Sequence, residues 1–75
     1  MTDEERSAAG YKHFVSIRGK LENGATFKNP KSSEFFASQI PRFNRRLENT
    51  YVSRGQLKWL ADINKAGLNK GKAIK

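Results

Sequence analysis

Apolar residues in this chain recur at intervals of three and four in three separate stretches. That is the spacing of one helix face, and it leaves little of the chain for an extended sheet. Tyr11, Phe14, Ile17 and Leu21 form the first set, Phe36, Ile40, Phe43 and Leu47 the second, and Leu57, Leu60 and Ile63 the third, with Trp59 joining it four residues before Ile63. The chain has 75 residues and no cysteine, so neither a disulfide nor a thiolate metal site is there to hold the helices together. The three faces must pack on one another, around a core supplied largely by five phenylalanines, two tyrosines and one tryptophan. The expectation is a mainly α fold: a compact single domain of three to four short helices over residues 1–68, followed by a flexible basic tail over 69–75.

The helix ends are also written in the sequence. Thr2 with Glu5, and Ser53 with Gln56, each have the spacing of a capping box, in which side chain and backbone satisfy each other's free groups. Val52 and Leu57 flank the second box as a hydrophobic staple would. Asn29-Pro30-Lys31-Ser32 reads as a loop, with Ser32 as the N-cap of the second helix and Glu34 in its first turn. Pro41 removes a backbone donor inside that helix and predicts a kink or a break into two shorter helices. Gly67 is placed just past the third helix in the left-handed conformation, with Leu68 folding back on Ile63. The first stretch has a rival reading. Val15, Ile17 and Leu21 also alternate around Gly19, and Asn23-Gly24 suits either a helix C-cap or a tight turn into Ala25-Thr26-Phe27, so a small hairpin near 15–28 stands beside the favoured helix.

Fifteen Lys and Arg against seven Asp and Glu give a net charge of +8, which points to a polyanionic partner or an acidic protein surface. The excess is lopsided. Residues 1–41 carry six basic and five acidic residues, whereas residues 42–75 carry nine basic residues and only Glu48 and Asp62. The start, Asp3-Glu4-Glu5, is unlike the positive segment that opens a signal peptide. No stretch approaches the ~20 apolar residues of a membrane span. A cytoplasmic location without membrane association is the default expectation. No catalytic ingredients stand out. His13 is the single histidine and is expected on a solvated face, the carboxylates lack metal-loop or acid/base spacing, and the glycines form no phosphate-binding loop. No cofactor is implied.

The binding chemistry lies in the basic half. On a helical wheel Arg42, Arg45 and Arg46 fall broadly opposite the core stripe, with Phe35 at the edge of the same side. An aromatic ring beside arginines can stack on a base while the guanidiniums take phosphates. In the third helix Arg54, Lys58 and Lys65 share a face, and Lys70 and Lys72 in the tail extend the strip. These nine residues are the candidate contacts to RNA, DNA or an acidic protein. A helix-turn-helix is matched only in part. Val52, Ser53, Leu57 and Leu60 suit its second helix, but Leu47 is bulky for the small position and Tyr51 stands where glycine is usual.

The run YVSRGQLKWLADI over residues 51–63, following SEFFASQI over 33–40, resembles a short helical module of phage-encoded proteins, in which an S-x-x-Q-x-x-W-L helix follows an E-F-x-x-S helix. In size and charge the chain also resembles small phage regulators that bind host RNA polymerase. The likeness covers roughly residues 32–65. It implies a non-enzymatic regulator acting on the transcription complex in the host cytoplasm. Separately, the nearly neutral and aromatic N-terminal half offers Tyr11 or Phe14 for a protein contact. The alternatives are a sequence-independent single-stranded DNA- or RNA-binding protein and a helix-turn-helix DNA-binding regulator. The sequence specifies no oligomeric state.

Overall fold

The computed structural model describes residues 1–70. Three helices and one short sheet make up the fold: α1 (Asp3–Glu22), β1 (Thr26–Phe27), α2 (Pro30–Arg46), α3 (Arg54–Ala66) and β2 (Leu68–Asn69), with a 3-10 helix over Leu47–Asn49 between α2 and α3. The first stretch is therefore a helix, and no hairpin forms within 15–28. Thr26 and Phe27 do become a strand, but their antiparallel partners are Asn69 and Leu68 from the far end of the chain. The Lys28 N–H donates to the Gly67 carbonyl at 3.0 Å beside this pair, so the sheet ties the exit of α1 to the exit of α3. Asn69, read from the sequence as part of the tail, belongs to β2; residues 71–75, including Lys72, lie outside the described residues.

Both capping boxes form, at Thr2/Glu5 and at Ser53/Gln56. The second helix starts earlier than the sequence suggests. Asn29 is its N-cap, accepting from the Lys31 N–H at 2.9 Å, and Pro30 takes the first helical position. There its missing N–H costs no helical hydrogen bond and its fixed φ suits the helix. Ser32 is instead buried inside the helix, and no acidic residue falls in the first turn. Pro41 does not break α2. The residue whose carbonyl loses a donor, Ala37, is exposed, so water can take the vacant acceptor.

The two glycine endings differ: Asn23-Gly24 closes α1 as the C-cap reading has it, whereas Gly67 departs from the left-handed conformation expected of it. Gly67 has φ −88°, not the left-handed value. It is required by close approach, because a Cβ there would lie 2.6 Å from the Ile63 Cα. The Schellman ending belongs to α1: Gly24 has φ 98°, its N–H donates to the Leu21 carbonyl, and the Ala25 N–H donates to the Lys20 carbonyl.

The core consists of Phe14 and Ile17 from α1, Phe36 and Phe43 from α2, Leu60 and Ile63 from α3, and Val52 from the segment before α3. Phe14 joins α1 to α2. Its ring stacks on Phe36 (4.9 Å between centroids) and on Phe43 (4.6 Å). Truncating it to alanine, a change that costs about 3–5 kcal/mol in protein cores, removes that junction. The buried face of α2 runs through Ser32, Phe36, Gln39 and Phe43, and this rotation leaves Ile40 at an exposed edge. Leu47 is also exposed, since α2 has already ended and Leu47 turns the chain with φ 53°. Trp59, read as part of the buried side of α3, lies at its exposed margin. Among the described residues no helix is long and apolar enough to cross a membrane.

Candidate nucleic-acid interface

The segment between the 3-10 helix and α3 is held from both sides. Thr50 is buried, and its hydroxyl donates to the Leu47 carbonyl at 2.8 Å while lying 3.2 Å from the Arg42 carbonyl. From α2, Arg42 donates through Nη1 to Gln39 Oε1 and through Nη2 to the Tyr51 carbonyl, each at 2.7 Å. From α1, the buried Arg6 donates through Nε to the Val52 carbonyl at 2.6 Å and pairs with Asp3. Val52 is seated against Gly10, where an added Cβ would come within 2.7 Å of Val52 Cγ2. Two arginines from different helices thus hold two successive carbonyls, which satisfies backbone acceptors of a segment with no regular structure.

An extended segment alternates its side chains between two sides. With Thr50 at 2% and Val52 at 1% relative exposure, Tyr51 between them turns outward and is 57% exposed. It lines an open cleft of about 410 Å³ with Pro41, Arg42, Arg45, Arg46, Asn49 and Thr50. Tyr51, with Asn49, also borders a recess of about 430 Å³ that carries Asp3, Glu4 and Glu48. A basic cleft and an acidic recess therefore share one aromatic wall.

The structure brings Arg42, Arg45 and Arg46 together as the wheel suggests, but Phe35 does not join them. Its ring stacks on Trp59 (4.2 Å between centroids, 9° between planes), and Trp59 Nε1 donates to Ser32 Oγ at 3.3 Å. The aromatic of the arginine cleft is Tyr51. Its signal in the sequence was its place where a helix-turn-helix carries glycine, which marked a residue in the connecting segment and not in a helix. Arg54, Lys58 and Lys65 are exposed on α3. Arg54 and Lys58 line a separate shallow depression with Met1, Arg6, Leu57 and Ala61, and Lys65 lies farther along the helix. Lys70 is exposed just after β2. Among the described residues the one ion pair is Arg6–Asp3, so Arg45, Arg46, Arg54, Lys58 and Lys65 are not neutralised by a carboxylate within the fold.

His13 is not on a solvated face. It is half-buried between α1 and α3, and its Nδ1 accepts from Asn64 Nδ2 at 3.0 Å. Asn64 Oδ1 in turn accepts from Ser16 Oγ and Lys20 Nζ, so the histidine serves helix packing. The Glu5 carboxyl is held below its ordinary range, chiefly by the hydrogen bond it accepts from the Thr2 backbone N–H and also by the Thr2 side chain. Among the described residues no group of three or more His, Asp or Glu side chains is placed to hold a metal ion. Residues 47–53 connect α2 to α3, a longer link than the turn of about three to four residues in a helix-turn-helix.

No family model, curated protein or solved structure matches the chain.

Proposed function

We propose that this protein is a non-enzymatic binding module that takes a nucleic-acid strand across the Arg42/Arg45/Arg46 cleft, with Arg54, Lys58 and Lys65 adding long-range attraction. The observation that carries the reading is the cleft itself: three arginines and an exposed tyrosine share one open surface, with Arg45 and Arg46 free of carboxylates. Guanidiniums in such a setting suit phosphate oxygens, which they can take in pairs. The electrostatic surplus speeds encounter with any polyanion. A salt titration tests the reading. Phosphate binding weakens linearly in log–log form, with a slope set by the number of phosphates neutralised. If RNA and DNA are not retained at ~150 mM salt, the reading fails.

The second reading is a regulator of phage type that acts on host RNA polymerase. Ile40, Leu47 and Trp59, all exposed apolar side chains, favour a protein contact of this sort. The resemblance behind it rests mostly on helix-building residues, because Ser53 and Gln56 form a cap and Phe36, Leu60 and Ile63 are core. Pull-down from a cell lysate separates the readings. One stoichiometric protein partner, captured after nuclease treatment and insensitive to salt, favours the polymerase-type regulator and counts against a strand in the cleft.

A further inference from the structure

We infer that Tyr51 is a stacking platform for one unpaired base, with Arg45 and Arg46 on the phosphates that flank it, so that the cleft selects single-stranded over duplex nucleic acid. This rests on the nucleic-acid reading above and adds the form of the strand. An aromatic ring stacks on any base, but a base inside a duplex has both faces covered by its neighbours. The geometry suits a stacking role in three respects. First, the ring is presented by a backbone that is already fixed: the Tyr51 carbonyl is held by Arg42, the Val52 carbonyl by Arg6, and the residues on either side are buried. Little ordering of the main chain is left to oppose binding. Second, Tyr51 is exposed and takes part in no aromatic stack among the described residues, in contrast to Phe35, which is stacked on Trp59. Third, the two depressions that Tyr51 borders differ in charge. Arg45 and Arg46 line one, and Glu4 and Glu48 line the other, where Asp3 is paired with Arg6. The acidic side repels phosphates, so a strand over the ring keeps its backbone on the arginine side and brings only a base across Tyr51.

The probes are an oligothymidylate of about ten nucleotides, an abasic oligonucleotide of equal length and a duplex of equal length, titrated at one salt concentration. The abasic strand presents the phosphates without the bases. The wild-type protein is expected to bind oligothymidylate more tightly than either of the others. Tyr51→Leu is expected to lose affinity for oligothymidylate by about five-fold or more and to bind it no better than the abasic strand, with an unchanged melting temperature because the ring is exposed. Tyr51→Phe is expected to keep the preference. An oligothymidylate-to-abasic ratio that Tyr51→Leu leaves unchanged, or tighter binding of the duplex, overturns the platform while the nucleic-acid reading stands. Arg45→Glu/Arg46→Glu binding oligothymidylate as the wild type does overturns the nucleic-acid reading of the cleft, and the platform falls with it. Capture of an acidic protein together with no binding of any oligonucleotide overturns both.

Discussion

The two basic faces carry similar charge and differ in everything around it. On α3, Arg54, Lys58 and Lys65 stand exposed along a helix, and the depression beside the first two holds aliphatic neighbours and no aromatic ring. Beside α2, Arg45 and Arg46 border a cleft whose far wall is built from a clamped segment, with Arg42 half-buried in two hydrogen bonds and Tyr51 held outward. Flexible, solvated lysines attract a polyanion over a distance. A fixed wall with a free ring and planar guanidiniums holds it in one pose. Charge count alone ranks the faces as equals; the hydrogen bonds behind the charges separate them.

The comparison can be broken from behind the cleft, and there the largest effect is expected. Gly10→Val places methyl groups where Val52 already sits, so α1 and the 50–53 segment must separate. A loss of about 2–3 kcal/mol is expected from overpacking, read as a fall of roughly 10–20 °C in melting temperature. Nucleic-acid affinity should fall with it, although no charged residue has been touched. Gly19→Ala on the same helix, where an added Cβ meets nothing within 4 Å, should be stabilising by about 0.5–1 kcal/mol and leave affinity alone.

Charge reversal sharpens the comparison directly. Arg45→Glu/Arg46→Glu is expected to weaken oligonucleotide binding by more than about ten-fold and to flatten the salt slope, while Arg54→Glu/Lys58→Glu costs about three-fold. Equal losses from the two pairs would mean that the cleft adds nothing beyond its charge. A smaller effect is expected at Leu47, whose φ of 53° is strained for a side chain that is exposed and packs little. Leu47→Gly should raise stability by about 0.5–1 kcal/mol in denaturant unfolding, and no counterpart strain exists on α3. The smallest effect is expected at Glu5, which caps the helix that supplies Arg6. Its carboxyl is lower in the folded than in the unfolded chain. Its contribution is therefore present above the ordinary carboxylate range and is lost as pH falls through the lowered value. The wild type should lose stability in mild acid more steeply than Glu5→Gln when melting is followed against pH.

The helices and both capping boxes were legible in the sequence because they depend on local spacing: Ser53 with Gln56 and Phe36 with Phe43 need no knowledge of the rest of the chain. What escaped was set by long-range packing. The pairing of Thr26 with Asn69 joins segments from opposite ends of the chain, and nothing near either residue announces the other. Gly67 could be read as a helix terminator but not as a point of close approach to Ile63. The arginines of the cleft were visible as a helical face. Tyr51 was not, since its outward turn follows from the burial of Thr50 and Val52, which in turn depends on Arg6 and Gly10 in α1. Phe35 was assigned to the arginines because its partner, Trp59, arrives from a different helix.

The clamp on the two carbonyls also makes the cleft a property of the whole cooperative unit. Arg6 belongs to α1 and Arg42 to α2, so the wall carrying Tyr51 exists only while those helices are docked. By linkage, whatever binds the cleft and not the unfolded chain stabilises that docking in return, by about 2.7 kcal/mol when its concentration is about a hundred times its Kd. A ligand at one small surface would therefore register as a thermal shift of the entire protein. Removing residues 1–10, none of which lines the basic cleft, would abolish both the shift and the binding.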